Sequence, residues 1–367
     1  MATDYQQYES KVIELARFIL AILIVVRHSA YSEIISGGGY NSIIQVFLSH
    51  GVSSLAVPTF FLISGYLFFK KLEHWDWNVW LGKMKRRVMT LIVPYLCWNL
   101  IALGIISVQL LATGAGLNGV WDFWNQNGFV RIFWDCNQVG VSDSYNIIGQ
   151  HIPGGTPIDG PLWFLRDLIV LTLLSPAIYC LCYRLGWIWI CLSCALYLTR
   201  IGIPMEGFSG DGIFFFSLGA FIVQKGSDML EFFKKAIRWN IVISALLLVA
   251  MCIVFYYDKE IFRVLRYIFT LFGVSVVLWS LIPFAKKYSD VTIKRYSSTS
   301  FFIFALHGLI LYPLVKYPLD ILIIGTSDVI NLTRYLITIA ITLALCLGSY
   351  FILKQISPRT LKFITGR

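Results

Sequence analysis

The stretch "ARFILAILIVVRHSAYSEII", residues 16–35, is apolar enough to form a membrane-spanning helix but contains Arg17, Arg27 and His28. An arginine in the hydrocarbon core costs several kcal/mol, so ionisable groups in spanning helices usually face the interior of a bundle or a water-filled cavity. The stretch therefore predicts a membrane protein whose first helix lines a polar interior.

The composition of the whole chain also indicates a membrane protein. Of its 367 residues, 57% are hydrophobic and 14% are charged, whereas a soluble domain has about 25% charged residues. Since most apolar runs reach the roughly 20 residues that cross a bilayer, we predict a single all-α polytopic domain, residues 1–367, with about 10 transmembrane helices and no separate soluble domain. The predicted spans are 13–35, 43–69, 88–112, 161–183, 186–204, 212–224, 239–257, 263–285, 298–318 and 333–356.

The basic residues predict the orientation of the chain. They are concentrated between the second and third, sixth and seventh, and eighth and ninth spans and in the C-terminal tail, all on one side of the predicted topology. The positive-inside rule makes this side and both termini cytoplasmic. These loops account for the net charge of +10, so we do not expect nucleic-acid binding.

The eight cysteines predict neither a metal site nor a disulfide framework. All but Cys136 lie in predicted helices, and their spacing matches no zinc motif. We expect them to pack as small residues of the core.

The longest predicted segment outside the membrane is the outer-side loop 113–160. Its first half is rich in Trp and Phe, which is typical of an amphipathic segment at the membrane interface. Its second half, which contains His151, is rich in Gly and Pro. Four aspartates outnumber the single Arg131 in this loop. We therefore expect it to contact a neutral or cationic acceptor rather than a polyanion.

Arg17 and His28 are predicted to share one face of the first helix. Eleven residues return a helix to within about 20° of its starting direction and advance it by about 16 Å. Arg27 points about 100° away from His28 and needs a separate partner. In a purely structural interpretation, Arg17 reaches the inner interface and His28 is a hydrogen-bonded core residue. In the functional interpretation, His28 transfers protons, since its unperturbed pKa is near neutrality.

Further candidates lie in four other segments, and each has a structural alternative. Ser64, next to Gly65, serves either helix packing or a substrate site. The basic group before the third span is either a positive-inside anchor or a ligand for phosphates. Polar residues of the fourth and ninth spans either pair within the bundle or bind substrate. The basic group consists of Lys83, Arg86 and Arg87. The residues of the fourth span are Trp163 and Arg166, and that of the ninth span is His307.

Five segments, taken together and in order, resemble acyltransferase family 3. They are "IELARFILAILIVVRHS", "VPTFFLISGYLFFKK", "RRVMTLIVPYLCWN", "GPLWFLRDL" and "FFIFALHG", within residues 12–355. In the first, Glu14 precedes Arg17 by three residues, and ten residues separate Arg17 from His28. Where the family has Arg-x-x-Arg before the third helix, this chain has Lys83-Met-Lys-Arg86-Arg87, with Thr90 where a second Arg is expected.

The resemblance implies a bacterial inner-membrane O-acyltransferase. Such an enzyme moves an acyl group, usually acetyl, from cytoplasmic acyl-CoA to a hydroxyl of an exported or cell-surface glycan. It implies acetyl-CoA as donor, His28 as general base with Arg17 as its functional partner, and Arg17, Lys83, Arg86 and Arg87 as ligands of CoA. Ser64, His151, Trp163, Arg166 and His307 are the expected acceptor residues. A separate periplasmic partner completes the transfer if this chain does not.

Two other functions use similar features. A proton-coupled exporter of polysaccharide or of a small molecule also has a polar-lined bundle, although the repeated halves common in transporters are not apparent here. A scaffold for a polysaccharide synthase makes no use of a histidine deep in the bilayer. O-succinyl transfer is the alternative within the acyltransferase class. The residues themselves leave the acceptor, the acyl group and the oligomeric state open.

Overall fold

The structure, a computed structural model, describes residues 6–31, 38–70, 72, 75–138, 154–203 and 205–367. It confirms the all-α membrane class, since helices make up most of the described chain. Within these described ranges, six helical segments are long and apolar enough to cross a membrane, or seven if one pair of helices bent by 64° forms a single span. The six are Gly39–Phe69, Trp77–Ala112, Ile237–Val254, Lys259–Lys287, Asp290–Leu322 and Asp328–Ile356, and the bent pair is Gly160–Leu173 with Ser175–Leu185.

Judged by the length and composition of the described helices, the predicted number of about 10 spans is therefore too high. The first predicted span is a helix, Gln6–Ser29, but its charged residues keep it outside the apolar class. Two further predicted spans are helices of 13 and 15 residues, Trp187–Thr199 and Gly210–Gln224. These fall short of the roughly 20 residues that a perpendicular span needs.

The helices of the amino-terminal half are numbered α1 to α6. They are α1 Gln6–Ser29, α2 Gly39–Gln45, α3 Ala56–Phe69, α4 Trp77–Arg87, α5 Val93–Ala112 and α6 Gly116–Trp134. A π-helical segment, Val46–Gly51, and a 3-10 turn, Val52–Leu55, join α2 to α3. A second π-helical segment, Val88–Ile92, joins α4 to α5.

The remaining helices follow a 3-10 turn at Gly160–Leu162. They are α7 Trp163–Leu173, α8 Ser175–Leu185, α9 Trp187–Thr199, α10 Gly210–Gln224, α11 Met229–Phe233, α12 Ile237–Val254, α13 Lys259–Ser280, α14 Ile282–Lys287, α15 Asp290–Ser297, α16 Ser300–Ile310, α17 Tyr317–Leu322, α18 Asp328–Ile356 and α19 Pro358–Thr365. A π-helical segment, Leu311–Lys316, joins α16 to α17.

The only strands in the described residues lie in the predicted outer-side loop. Strand β1, Asn137–Gln138, pairs antiparallel with β2, Gly155–Thr156, in the register Asn137 to Thr156 and Gln138 to Gly155. Helix α6, at the start of this loop, bends at Gly128, whose φ of 68° favours glycine. Trp121 and Phe129 on α6 are exposed, which fits the predicted interfacial segment.

Helix α1 lies at the centre of the bundle. It packs against α3, α15, α16 and α18, and its side chains Val12, Ala16, Leu20, Ala21 and Val25 are fully buried. A helix enclosed in this way needs no lipid-facing apolar surface of its own. This position explains why it tolerates more charged residues than the outer helices.

Helices α3 and α10 pack closely through two glycines. A Cβ atom on Gly65 would lie 2.2 Å from the carbonyl oxygen of Phe216, and one on Gly219 would lie 2.4 Å from the backbone nitrogen of Tyr66. Small residues of this kind allow membrane helices to approach closely. The packing interpretation of Gly65 is thus supported by the geometry.

Candidate active site

His28, in the last turn of α1, is exposed in a cavity of about 1200 Å³. The wall of this cavity combines the 154–163 segment, the α9–α10 connection and the end of α16. Among its lining residues are Trp163, Arg166, Asp167, Trp189, Tyr197, Arg200, Glu206, Asp211, Tyr267, Tyr312 and Lys316. A cavity of this size, with aromatic walls and a few polar groups, is typical of a ligand site.

His28 also lines a second cavity of about 310 Å³. This smaller cavity lies against α1 at Ile24, one turn before His28 on the side of Arg17. The two cavities share His28, Pro161, Trp163, Tyr197, Asp211 and Tyr267 as lining residues. His28 therefore stands where two chambers meet.

His307, on α16, lies beside His28, with ring centroids 5.3 Å apart. It is fully buried, and its Nδ1 lies 2.6 Å from the carbonyl oxygen of Phe304 and 3.2 Å from that of Ile303. Because a carbonyl oxygen only accepts, we assign the proton of a neutral His307 to Nδ1. Its Nε2 has no hydrogen-bond partner in the part of the chain that the structure describes.

Asp159 is a second incompletely paired group near α16. It is buried, and neither carboxylate oxygen has a hydrogen-bond partner among the described residues. Burial raises its pKa, because desolvation penalises the charged form. The backbone nitrogen of Asp159 donates to Asn99 Oδ1 at 3.1 Å. On α16, a Cβ atom on Gly308 would lie 3.3 Å from Asp159 Oδ1.

Arg166 lines the larger cavity, but its donors are engaged in the wall. Nη1 donates to the carbonyl oxygens of Trp134 at 2.6 Å and Gly155 at 2.9 Å, while Nε and Nη2 each lie 3.0 Å from Asp167 Oδ1. These bonds tie β2 and the end of α6 to α7. The geometry favours a role in holding the cavity wall in place.

Arg17 lies in the middle of α1 and lines neither cavity. Its charge interacts with those of Glu14, Arg87 and Arg367. Lys83 donates from Nζ to the carbonyl oxygen of Phe68, and the Arg87 guanidinium carbon is 5.7 Å from the centroid of the Phe68 ring. Arg17 and Arg87 thus form a cationic group, while Arg86 on α4 is exposed.

Arg27 has the separate partner that its direction requires. Its Nη1 donates to the backbone oxygen of Ser49 at 2.9 Å and lies 3.2 Å from His50 Nδ1. The side chain lines the smaller cavity together with Arg266 of α13.

The structure brings together some of the predicted site residues. His28, Trp163 and Arg166 line the larger cavity, and His307 lies directly behind His28. Arg17 and Arg87 lie together near the middle of α1, and Lys83 lies next to Arg87 at the Phe68 ring. Ser64 belongs to neither cavity and sits next to the α3–α10 glycine contact. His151 lies outside the described residues.

Several lining residues were missed from the sequence, including Lys316, Asp211 and Arg266. Lys316 donates to the carbonyl oxygen of Ala30 at 2.6 Å and lies 4.7 Å from the centroid of the Tyr31 ring. A charge inside an apolar run marks a functional site by default, and all three lie in or beside such runs. The sequence thus marks these charged residues as candidates, but it does not show which of them lie close together in the structure.

Comparison with known proteins gives a family match and a curated relative. The family model described as acyltransferase domain matches residues 11–351. A curated relative, the succinoglycan biosynthesis protein ExoH of Rhizobium meliloti (strain 1021), is 25% identical over 369 residues, which cover 96% of this chain and 91% of the relative. No solved structure matches the chain. Because the family model covers nearly the whole chain, this protein belongs to acyltransferase family 3.

Proposed function

We propose that the protein transfers a short acyl group from cytoplasmic acyl-CoA to a hydroxyl of an exported or cell-surface glycan, with His28 as general base. The observation that carries this proposal is the position of His28, which is exposed where a large and a small cavity meet. A general base must lie within hydrogen-bond reach of the hydroxyl proton, and that hydroxyl must in turn lie next to the acyl carbon. A donor in one chamber and an acceptor in the other satisfy that requirement.

The donor enters from the basic side. There the CoA phosphates contact Lys83, Arg86 and Arg87, whose side chains are suited to phosphate recognition. The narrow pantetheine arm runs along α1 from Arg17 toward His28, a rise of about 16 Å. In this orientation both termini are cytoplasmic, as the positive-inside rule indicates, and the larger cavity opens toward the periplasm of a bacterial inner membrane.

The acceptor occupies the larger cavity. Trp163, Tyr197, Tyr267 and Tyr312 offer aromatic faces for sugar rings, and the buried Nε1 of Trp189 has no partner in the described chain and can donate to a hydroxyl. A glycan acceptor is supported by the name of the relative, which associates that protein with succinoglycan biosynthesis.

In the reaction, the acceptor oxygen attacks the thioester carbonyl carbon while His28 takes the hydroxyl proton. As the new C–O bond forms, the C–S bond breaks, and the leaving CoA thiolate takes the proton back from the His28 imidazolium. Neutral His307, with its proton on Nδ1, adds no positive charge next to that imidazolium and presents Nε2 as an acceptor.

Labelled acyl-CoA tests the donor half of the proposal. Membranes containing the wild-type protein should pass label from acyl-CoA to glycan, and those with His28→Ala should not. Mass spectrometry of surface glycan from a deletion strain should show the loss of an acyl-sized increment. A purified protein that binds no CoA derivative would overturn the proposal and favour a proton-coupled exporter.

A mixture experiment tests whether a second protein completes the transfer. Purified protein in nanodiscs, given acyl-CoA and isolated glycan, should produce acylated glycan alone. If it only releases CoA and holds the acyl group until periplasmic extract is added, transfer requires a separate partner.

A further inference from the structure

The smaller cavity contains two arginines that the proposed mechanism does not use. Arg27 comes from α1 and Arg266 from α13, and Asp211 of α10 is the acidic residue of the lining. Ser53, Ser54 and Thr270 add hydroxyl groups to the same wall. The cavity is thus polar on one side, although it lies within an apolar bundle.

Neither arginine is paired with a carboxylate in the described part of the chain. Arg27 contacts a backbone carbonyl and a histidine ring through Nη1, and no other hydrogen bond of its guanidinium is found there. Arg266 lies with its guanidinium carbon 5.5 Å from the centroid of the Tyr267 ring. The ion pairs of the described residues include neither side chain.

The charges of this cavity do not balance. Two guanidinium groups face the single carboxylate of Asp211, so one positive charge is in excess when Asp211 is ionised. A buried charge is costly unless it is paired. One anionic group on a bound molecule would balance the cavity, and a carboxylate fits the planar donor fork of arginine.

The position of the cavity indicates which molecule brings that group. Ile24 and His28 line it, and they continue the face of α1 that begins at Arg17. Under the proposed function, the acyl end of the donor arrives at this point. The larger cavity, by contrast, is lined by three basic and three acidic side chains, so it has no excess positive charge for a carboxylate.

We propose that the smaller cavity is the acyl-group site and that Arg27 and Arg266 select an acyl chain ending in a carboxylate, of the succinyl type, over acetyl. This inference rests on the proposed function. The thioester carbonyl lies at His28, and the terminal carboxylate lies between the two guanidinium groups. The specificity of the enzyme is then set by charge pairing rather than by the size of the cavity.

Equilibrium binding to purified protein in nanodiscs tests this without knowledge of the acceptor. Radiolabelled acetyl-CoA and succinyl-CoA are compared on the wild type, and succinyl-CoA should bind at least about tenfold more tightly, since a desolvated charge pair contributes this much or more. Arg266→Gln should reduce the preference to near unity, and Arg266→Lys should keep part of it.

Arg263→Gln is the matched control. It makes the same change one turn away on α13, at a residue that pairs with Glu260 and lines neither cavity, and it should keep the full preference. Because Arg27→Gln also breaks the contact with Ser49, it is used only if its gel-filtration profile and melting temperature match the wild type.

The outcomes separate the inference from the function on which it rests. Equal binding of the two acyl-CoAs, or a preference that Arg266→Gln leaves intact, overturns the inference and leaves the transferase function standing. Failure of CoA, acetyl-CoA and succinyl-CoA alike to bind overturns both. If Arg266→Gln weakens binding of glucuronate but not of succinyl-CoA, the arginines serve an acidic acceptor and the inference is wrong.

Discussion

The two ends of α1 differ in whether their polar side chains are hydrogen-bonded within the protein. At the first end, Glu9 is buried and accepts hydrogen bonds from Tyr66 Oη at 2.6 Å, Lys70 Nζ at 2.7 Å and the Met229 nitrogen at 2.8 Å. At the other end, His28 is exposed in a cavity and makes no hydrogen bond to any residue that the structure describes.

This difference separates structural from functional polar groups in one helix. A buried group that is fully paired stabilises the bundle, whereas one left open at a cavity wall can bind another molecule. The arginines repeat the contrast, because Arg166 is engaged by a carboxylate and two carbonyl oxygens while Arg27 and Arg266 have no carboxylate partner in the described chain.

The largest expected effect is the loss of activity in His28→Asn. Removing a general base lowers turnover by about 10²–10⁴-fold, and the exposed ring contributes little packing. Acyl transfer from labelled acyl-CoA measures the turnover, while the melting temperature should remain near that of the wild type.

A His28→Asn protein with normal turnover would break the comparison, because the open group would then have no chemical role. Equally, a large drop in melting temperature would show that His28 stabilises the bundle.

Glu9→Gln should destabilise the fold by about 3 kcal/mol, because it removes one member of a buried charged network. Chemical unfolding in detergent measures the change, and acyl transfer per folded molecule should be retained. Glu260→Gln, at an exposed residue paired with Arg263 at 2.8 Å, is the matched control and should cost less than about 1 kcal/mol.

Gly65→Ala should cost about 1–3 kcal/mol, since its Cβ would lie 2.2 Å from the Phe216 carbonyl oxygen and force α3 away from α10. Tyr66, which binds Glu9, lies next to this contact. Gly104→Ala on α5 is the control, because nothing lies within 4 Å of its Cβ position. A neutral Gly65→Ala would show that the two helices can separate freely.

Arg87→Gln should raise the KM for acyl-CoA about tenfold with little change in kcat, because it removes uniform binding of a phosphate rather than a transition-state contact. Lys354→Gln, at an exposed residue on α18, controls for the loss of a surface charge. An unchanged KM for Arg87→Gln would limit the basic group to its anchoring role.

Some features of the fold follow from local chemistry and others do not. The length of apolar runs correctly predicts the membrane class and helices such as Asp328–Ile356. The same measure overcounts spans. Helices α1 and α10 are largely enclosed by other helices and need not match the bilayer in charge or length, while α9, which has an exposed face, has only 13 residues. Enclosure is a tertiary property that hydropathy does not report.

The candidate site divides in the same way. The period of an α-helix places Arg17 and His28 on one face from their spacing alone, and it places Arg27 about 100° away from His28. It does not reveal that His307, 279 positions later in the chain, lies beside His28, or that Arg27 and Arg266 share one cavity.

The sequence by itself determined the membrane class, the family and the helix face that bears Arg17 and His28, because these depend on composition, motif order and helical period. Only the tertiary structure decided which polar groups are satisfied and which remain open. From the sequence alone, burying Glu9 or His28 in an apolar helix has a similar free-energy cost. Their different roles depend on partners from distant helices, and no local pattern in the chain predicts such long-range pairing.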